Sequence, residues 1–590
     1  LELVKEDLQK EGYTLEIVKV SDNVQANVAL ANKEIDANFF QHEPFMKQYN
    51  EKNKTNLVAV AKVYNSIPAF YSKDIKNIKD LKDGADVAIP SDASNMARAL
   101  RLLAHGGLIT LNDPNSYNVT VKDIKDNPKH LKFTEVGLLN LSDAYAEKDL
   151  VFSFSEDYKK FLSVSKTERL ACTEIIRQAK EHGFRDLEEL FKSGEKFKAG
   201  DKFYLNHKNK SVALFVMGTE PLENGLNIVG AHIDSPRLDV KQNPLYEANN
   251  LTKMKTHYYG GVKLYQYATI PLAIHGVIYN SAGEKIEVHI GEDKDDPVFC
   301  VTDLLIHLSK NQLAKTAREA LVGEQMNILI GNIPLKDTEK DAVKENILKL
   351  IKEKYNFEEE DFRVAELEIV PAGEARDLGL DRSMVIGYGQ DDRVCAFTTM
   401  RAIFEIENPK RTACGLFMDK EEIGSMGNTG MASYFWENTM TELVNLEGDF
   451  CQLKVNRSLK NSKVLSADVA AGLDPDFPEV CESMNAAVIG SGISICKYTG
   501  SGGKFGSSDA NAEFLAEVRN VFKEHNVVWQ TAELGKVDQG GGGTIALLLA
   551  KYGAEVLDAG PATLSMHSPY EVTSKVDIYM SYKAYKAFML

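Results

Sequence analysis

The chain has 590 residues, 44% of them hydrophobic, and a formal net charge of −17. This length predicts about three or four domains. The strong negative charge argues against a nucleic-acid-binding protein, because such proteins present a basic face to phosphates.

Seven cysteines are spread along the chain, mostly inside apolar runs. An odd number of widely spaced cysteines indicates reduced, buried thiols, which is typical of cytoplasmic proteins. No apolar stretch approaches the length of a membrane span, and no charged-then-apolar leader opens the sequence. We therefore expect a cytoplasmic protein without a membrane span.

The first 148 residues alternate between helical and strand patterns. This alternation predicts an α/β module with loops at the strand ends. The helices are expected at residues 3–12, 24–33 and 95–104, and the strands at residues 14–20, 58–64 and 86–90.

Several stretches of this module, among them DNVQANVALANKEIDANFFQHEPF, VAIPSDASNMARAL and NDPNSYNVTVKDI, resemble the methionine-binding lipoproteins of ABC importers. The resemblance implies a periplasmic-binding-protein-like fold whose amino-acid pocket is lined by Phe40, His42, Phe45 and Arg98. The family's opening strand and the segment after its second lobe have no counterpart here. Residues 1–148 are therefore expected to be a truncated solute-binding fragment with a vestigial pocket.

Five short motifs rich in acids and histidine are scattered beyond residue 230. They are AHIDSP, GQDDR, DKEEIGS, SADVAA and SMHSP. Four of them follow apolar runs that predict buried strands, namely LNIVGA, ACGLFM, KVLSA and ATLSM. Because strand ends converge on one edge of an open α/β sheet, residues far apart in sequence are expected to meet there.

The side chains of these motifs suit a site with two zinc ions per subunit. Zinc binds imidazole nitrogen and carboxylate oxygen, and two ions about 3.5–4 Å apart need a bridging carboxylate. Asp391 is the predicted bridge. His232 and Asp468 would complete one ion, and Glu422 and His567 would complete the other.

Two further acids complete the predicted site. Glu421 is the spare carboxylate, which would take a proton from the attacking water and pass it to the leaving amine. Asp234 follows His232 by two residues and would accept the second ring N–H, which fixes the imidazole tautomer.

A strand-rich stretch between residues 242 and 385 contains none of the five motifs and marks a separate domain. Within it, TIPLAIHGVIYNSAGEKIEVHIG has a turn signal at Asn280–Gly283 between two alternating runs, which predicts a β-hairpin. A helix is predicted later, with Thr338 as its cap. The apolar residues expected on one face of this helix are Val343, Ile347, Leu350 and Ile351.

From about Val151 to Leu590 the chain resembles the M18 family of metalloaminopeptidases, which includes aspartyl aminopeptidase, in its bacterial form. The five motifs carry the resemblance, together with THYYGG, GEDKDDPVFC, KYTGSGGKFGSSDA and MHSPYE in the family's order. It implies the ligand roles given above, with Glu421 as the general base, and a cis peptide bond between Asp391 and Asp392.

The resemblance also implies the domain organisation of this part of the chain. An α/β zinc-aminopeptidase fold (phosphorylase/hydrolase-like) is expected, with a three-layer catalytic domain formed by residues 149–241 and 386–590. Residues 242–385 are expected to form an inserted β-rich dimerisation domain.

Assembly and substrate contacts follow from the same resemblance. Subunits are expected to form dimers that build a tetrahedral dodecamer, in which His307 of LLIHLS reaches a neighbour's active site. Lys497 matches a lysine near the substrate pocket, where its charge would favour an acidic side chain. Eukaryotic aspartyl aminopeptidases carry histidines where this chain has Ala471 and Asp474, so strict acidic specificity does not follow.

The predicted function is the zinc-dependent removal of N-terminal residues from peptides. Another two-zinc hydrolase on the same scaffold, a carboxypeptidase or a deacylase, is the enzymatic alternative. The non-enzymatic alternative is a methionine-binding component of an ABC importer, acting through the N-terminal module.

Overall fold

The computed structural model describes residues 9–590, except for 11, 13, 17–22, 39–40, 42, 62–74, 76–79, 91–92, 114–115, 117–118 and 137–140. The chain divides into two compact units, Leu1–Lys148 and Asp149–Leu590. No helix in the described part of the chain is long and apolar enough to cross a membrane. All seven cysteines lie in the described part and are free thiols.

The first unit contains short helices and strands around a small apolar core that includes Ile89, Leu100 and Leu103. Strands β1 and β4 pair in parallel, and β2 pairs with β3. The predicted strand at 86–90 and the helices at 24–33 and 95–104 are confirmed within a few residues. The elements are α1 (Asn23–Ala31), α2 (Glu43–Asn53), β1 (Asp86–Pro90), α3 (Ala93–His105), β2 (Thr110–Leu111), β3 (Ile124–Asp126) and β4 (Lys132–Val136).

Two predicted strands of this unit are not formed in the residues that are described. Residues 14–16 and 58–61 have no strand pairing, and the remainder of both predictions lies outside the described residues. Val58 is 69% exposed and Val60 is 92% exposed. An apolar run becomes a strand only where a neighbouring strand satisfies its backbone and a core covers its side chains, and residues 58–61 have neither within the described part of this unit.

The second unit begins within helix α4 (Leu141–Val164), in which the boundary between the units falls. Phe154, Tyr158 and Phe161 of this helix are buried against Phe397, with ring centroids 5.2–5.5 Å apart. The elements that follow are α5 (Glu168–Glu181), β5 (Arg185–Asp186), α6 (Leu187–Ser193), β6 (Lys202–His207), β7 (Ser211–Val216) and β8 (Asn227–His232).

The next segment forms a seven-stranded sheet in the order β12-β11-β15-β9-β10-β14-β13. The predicted hairpin is confirmed, because β11 and β12 pair antiparallel and Gly283 has a φ of 79° in the connecting turn. The sheet spans Arg237–Pro371. Its elements are β9 (Arg237–Ala248), β10 (Leu251–Tyr259), β11 (Leu272–Tyr279), β12 (Lys285–Ile290), β13 (Cys300–Val301), α7 (Lys310–Leu313), α8 (Ala317–Ala320), β14 (Ile328–Gly331), α9 (Ala342–Tyr355) and β15 (Glu366–Pro371).

Helix α9 is present, but its predicted cap was wrong. The helix begins after Asp341, and its first free N–H groups, those of Val343 and Lys344, donate to the Glu247 carboxylate from β9 at 2.9 Å. A side chain distant in sequence thus replaces the local cap expected at Thr338, because any acceptor that reaches the helix start can satisfy these donors.

The rest of the chain, after residue 371, contributes strands to a nine-stranded and a five-stranded sheet and the helices that follow them. Its elements are β16 (Arg376–Leu378), β17 (Met384–Gly387), α10 (Gln390–Phe404), β18 (Ala413–Met418), α11 (Phe435–Glu447), α12 (Gln452–Lys460), β19 (Lys463–Ser466), β20 (Ala470–Ala471), β21 (Ile493–Cys496), β22 (Gly500–Ser501), α13 (Ala512–Glu524), β23 (Trp529–Thr531), β24 (Gly541–Gly542), α14 (Ala546–Ala550), β25 (Glu555–Gly560), β26 (Ala562–Leu564), β27 (Glu571–Ser574) and α15 (Lys575–Met589).

A nine-stranded sheet in the order β23-β21-β25-β19-β8-β18-β7-β6-β5 is the centre of this unit. Its neighbours β19, β8 and β18 run parallel, so their carboxyl ends lie at one edge. Alternate residues of β8 pack on opposite faces: Val229 shares a core with helices α10 and α15, whereas Ile228 shares a core with α11 and α12. The continuous apolar runs in the sequence are therefore strands with helices on both faces.

A separate sheet has five strands in the order β16-β17-β27-β26-β20. The predicted strand before His567 belongs to this smaller sheet and not to the nine-stranded one, because β26 pairs with β27 and β20. Helix α10 follows β17 of the same sheet. Two sheets, instead of one, therefore supply the strand ends at which the acid and imidazole motifs occur.

Candidate active site

Three of the motifs lie at the carboxyl ends of adjacent parallel strands. His232 is the last residue of β8, and Asp468 follows β19 by two residues. After β18, the chain makes a short helical turn at Glu421–Ile423, which contains Glu422. The parallel pairing of these three strands brings side chains 46 to 236 positions apart to one edge, as the sequence patterns predicted.

Asp391 and His567 reach the same place from the five-stranded sheet. Asp391 lies at the start of α10 after β17, and the peptide bond between Asp391 and Asp392 is cis. His567 follows β26. A single carboxylate, that of Glu571, holds both, because it accepts the backbone N–H of His567 at 2.7 Å and that of Asp391 at 3.0 Å.

The Asp391 carboxylate is the centre of the cluster. Its Oδ1 lies 3.1 Å from Nε2 of His232, and its Oδ2 lies 3.1 Å from Nε2 of His567. One ligand atom each of His232, Asp391 and Asp468 lie within 4.8 Å of one another, and the same is true of Asp391, Glu422 and His567. Two groups of three ligands therefore share Asp391.

Both imidazole rings present the same nitrogen to the Asp391 carboxylate. Nδ1 of His232 lies 3.0 Å from the main-chain oxygen of Asp234, and Nδ1 of His567 lies 2.9 Å from the main-chain oxygen of Gly261. A carbonyl oxygen accepts hydrogen bonds, so both Nδ1 atoms carry the proton and both Nε2 atoms have a lone pair for a metal.

Asp234 is fully buried beside this cluster. Its carboxylate accepts the backbone N–H groups of Glu421 at 3.1 Å and Glu422 at 3.2 Å. The sequence predicted that this carboxylate takes the second ring N–H of His232. The two atoms are 3.3 Å apart, but the main-chain oxygen of Asp234 is closer to the ring, because the residue folds back toward His232.

Several buried carboxyl groups lie close together in this cluster, and their pKa values differ from the ordinary ones. Burial, together with the charges of Asp234 and Asp391, raises the pKa of Glu421 to about 7. Burial also raises the pKa values of Glu422 and Asp468 well above the ordinary range. Burial opposes ionisation of Asp391 as well, but the two imidazoles that face it, those of His232 and His567, hold its pKa below the usual value. Several carboxylates this close together call for cations.

The donors fit zinc in chemistry and in spacing. Two ligands about 2.0–2.1 Å from a tetrahedral zinc stand roughly 3.3 Å apart. The distances from the two Nε2 atoms to Asp391 are close to this value, and Glu422 Oε2 lies 3.4 Å from His567 Nε2. Among the described residues, the buried Glu422 Oε1 has no hydrogen-bond partner. An ion at the group formed by Asp391, Glu422 and His567 would satisfy this oxygen atom.

Glu421 occupies a different position from Glu422. Its Oε2 lies 3.9 Å from Nε2 of His232, and its side chain is 16% exposed, compared with 4% for Glu422. Glu421 is thus next to the cluster and more open to solvent, whereas Glu422 points into it.

The remaining predicted residues are not brought to the cluster. Lys497 directly follows β21, and its side chain is exposed. His307 is exposed on the helical turn Ile306–Leu308. In the part of the chain that the structure describes, neither side chain contacts the five candidate ligands.

The predicted pocket of the first unit is described only in part. Phe45 is half-buried on α2, and Arg98 lies on α3, where its guanidinium donates to Asn95 at 3.1 Å. Phe40 and His42 lie outside the described residues.

Sequence reasoning missed two carboxylates at the site. Glu571 orients two of the ligands, and Asp392 accepts the backbone N–H of His232 at 3.2 Å. Both lie inside motifs that had been singled out, MHSPYE and GQDDR. Their position next to ligand residues was a signal that could have identified them.

Two family descriptions match the chain. Residues 161–589 match the aminopeptidase I zinc metalloprotease (M18) family, and residues 1–172 match the NlpA lipoprotein family. A probable M18 family aminopeptidase 1 from Clostridium acetobutylicum is 54% identical over 453 residues, which cover 76% of this chain and 97% of the relative.

Solved structures agree with this match. An M18 aminopeptidase from Thermotoga maritima has a TM-score of 0.72 and 44% identity, and the match covers 75% of this chain and 97% of that one. The S. cerevisiae mApe1 dodecamer, with 20% identity, a TM-score of 0.61 and coverage of 75% and 97%, shows likeness of the mixed α/β fold alone. The M18 family match covers most of the chain, and the clostridial relative is more than half identical to it. The chain therefore belongs to the M18 family and is a zinc aminopeptidase, a hydrolase that acts on peptide bonds.

Proposed function

We propose that the enzyme removes N-terminal residues from peptides at a site with two zinc ions per subunit. Asp391, His232 and Asp468 would hold one ion, and Asp391, Glu422 and His567 would hold the other. The observation that carries this proposal is the orientation of the Asp391 carboxylate, whose two oxygens each lie 3.1 Å from a different imidazole Nε2. The carboxypeptidase and deacylase alternatives are not favoured, since the named relatives are aminopeptidases.

When bound, the zinc ions polarise the scissile carbonyl and make a water molecule a stronger nucleophile. Glu421 accepts the proton of the attacking water on its carboxylate and donates it to the leaving amine. This role is supported by its place beside the ligands, 3.9 Å from His232 Nε2. Asp234 positions Glu421 by accepting its backbone N–H.

Lys497 is proposed to contact the substrate side chain. It follows β21, which belongs to the same sheet as β19 and β8, and its exposed ammonium is available to a ligand. An acidic substrate side chain would pair with it. Ala471 and Asp474 stand where the eukaryotic aspartyl aminopeptidases have histidines, so we do not assign strict acidic specificity.

Metal removal tests the ligand set. Dialysis against a strong chelator should abolish peptidase activity, and zinc, cobalt or manganese should restore it. Elemental analysis should give two zinc ions per subunit in the native protein and a loss at both positions in Asp391→Asn, because this carboxylate is shared. Asp476→Asn, at an exposed acid, is the control and should retain both ions. Full activity in metal-free protein would contradict the assignment.

The adjacent glutamates can be separated by substitution. Glu421→Gln should retain both metals but lose activity by on the order of 10²–10⁴-fold, the usual contribution of general acid–base catalysis. Glu422→Gln should instead lower metal affinity, because it removes a ligand. Metal analysis and steady-state kinetics on the two variants check this, and the reverse pattern would mean that the two roles are exchanged.

Assembly into dimers and then a tetrahedral dodecamer is proposed as well, with His307 entering a neighbour's active site. The side chain of His307 is exposed, and Leu304, Leu305, Ile306 and Leu308 around it are 54–69% exposed. Apolar side chains this exposed mark a contact surface. The name of one structural relative, the mApe1 dodecamer, describes such an assembly for that protein.

Mixed oligomers test the shared site. His307→Ala should reduce turnover and leave bound zinc unchanged, whereas the exposed control His525→Ala should do neither. Mixing His307→Ala subunits with Glu421→Gln subunits should recover part of the activity, because some sites then combine an intact base with an intact histidine. Absence of recovery in mass-verified mixed oligomers would count against the proposal.

Residues 1–148 are proposed to be a solute-binding-protein-like module that contributes nothing to catalysis. The enzyme is proposed to work in the cytoplasm. The five proposed ligands all lie in the second unit. The exposed Val58 and Val60 are apolar residues of the kind that a complete sheet would cover. The free thiols support a reducing compartment.

Truncation tests this view of the N-terminal unit. Deleting residues 1–148 should preserve or raise specific activity, and calorimetric titration of the full chain should detect no methionine binding. A longer deletion, of residues 1–166, is the control and should destabilise the enzyme, because it removes the buried Phe154, Tyr158 and Phe161. Loss of activity in a folded, zinc-loaded 1–148 deletion would contradict the proposal, and so would micromolar methionine binding.

A further inference from the structure

The end of strand β10 extends from the seven-stranded sheet to the candidate ligands. This strand ends in the motif THYYGG, whose role was not assigned by the sequence. The hydroxyl of Tyr259 donates to Asp234 Oδ2 at 2.7 Å. Tyr259 thus contacts the carboxylate that lies behind the ligands, from an element that contains no ligand itself.

Asp234 connects Tyr259 to both halves of the site. Its carboxylate accepts the N–H groups of Glu421 and Glu422, and its Oδ1 lies 3.3 Å from Nδ1 of His232. Among the described residues, Tyr259 is the only side-chain hydroxyl that donates to this carboxylate. Loss of that donor would leave a buried carboxylate oxygen less constrained and the turn at Glu421–Ile423 free to shift.

The ring of Tyr259 is stacked against a buried cation. The guanidinium carbon of Arg237 lies 4.0 Å from the centre of its ring. Arg237 is 5% exposed and pairs with Glu168 and Glu368, each at 3.3 Å. A cation stacked on the ring in this buried setting restricts the ring to one orientation and so directs its hydroxyl at Asp234.

The two glycines after Tyr259 bring the backbone against the other half of the site. The main-chain oxygen of Gly261 accepts from Nδ1 of His567 at 2.9 Å, and a Cβ at this residue would come within 3.1 Å of that nitrogen. A Cβ at Gly260 would come within 3.4 Å of the Glu422 side chain. The absence of a side chain at Gly261 permits this close approach, whereas Gly260 has a φ of 73°, a backbone conformation that glycine adopts without strain.

We propose that Tyr259–Gly261 is a positioning strap through which the seven-stranded sheet sets the geometry of both zinc positions, with the Tyr259 hydroxyl acting through Asp234 as a positioning residue. This inference rests on the two-zinc site proposed above. Tyr259 orients His232, Glu421 and Glu422 through Asp234, while Gly261 orients His567. Residues that orient metal ligands in this way typically contribute about 10–100-fold to metal affinity or activity.

The test compares two adjacent tyrosines. Tyr259→Phe removes only the hydroxyl and keeps the ring under Arg237, whereas Tyr258→Phe removes a hydroxyl from a side chain that is 44% exposed. Zinc affinity is measured by competition with a chromophoric chelator, kcat and KM with an aminoacyl fluorogenic substrate, and thermal stability by circular dichroism. The visible spectrum of the cobalt-substituted protein reports ligand geometry directly.

Tyr259→Phe should weaken zinc binding or lower kcat by about 10–100-fold. Its KM and melting temperature should stay near those of the native enzyme, and its cobalt spectrum should change. Tyr258→Phe should match the native enzyme in every measurement. Because Tyr259 acts through Asp234, adding Tyr259→Phe to Asp234→Asn should have little further effect on zinc affinity, which a double-mutant cycle measures.

Two results would overturn the inference. One is a Tyr259→Phe enzyme with the zinc affinity, kcat and cobalt spectrum of Tyr258→Phe. The other is a lower melting temperature while the zinc affinity and the kcat of the folded protein are unchanged, which would assign the hydroxyl to stability alone. Failure of the two-zinc proposal is recognised separately, because the native enzyme would then bind fewer than two zinc ions or remain active after chelation.

Discussion

A cluster of buried carboxylates around the two oxygens of Asp391 is the constraint that the surrounding structure has to satisfy. Negative charges that are removed from water repel one another strongly, so such a cluster is stable only with compensating positive groups. Part of the compensation is built into the protein. Glu571 receives two backbone N–H groups, and Asp234 receives two N–H groups and the hydroxyl of Tyr259. The remainder is left for cations.

Rigid elements from three sheets meet this constraint together. The nine-stranded sheet supplies His232, Glu422 and Asp468 from the ends of parallel strands, and the five-stranded sheet supplies Asp391 and His567. The seven-stranded sheet supplies no candidate ligand. The end of its strand β10 contacts both groups of candidate ligands, through Asp234 and through the His567 ring. Ligands mounted on strand ends keep their spacing better than ligands on loops, which suits a site whose function depends on tenths of an ångström.

The sequence predicts some strands correctly and others not, and the difference has a physical reason. Strands β8, β18 and β19 were predicted because they are buried on both faces and therefore appear as continuous apolar runs. The run at residues 58–64 looked similar, yet residues 58–61 form no strand, since pairing depends on a partner strand that an apolar pattern does not specify. The predicted Thr338 cap was wrong for a similar reason. Glu247, which accepts the first N–H groups of helix α9 instead, is far away in the chain but close in space.

The sequence by itself determined the chemistry of this protein: which acids and histidines follow buried strands, and that their donor set suits zinc. Those properties are local, since they depend on residue type and on a few neighbouring positions. Only the tertiary structure decided that two sheets bring the candidate ligands together, which oxygen of Asp391 faces which imidazole, and that Glu571 and Tyr259 form hydrogen bonds with residues of the site. These relations join residues up to hundreds of positions apart, and no local pattern encodes the geometry between them.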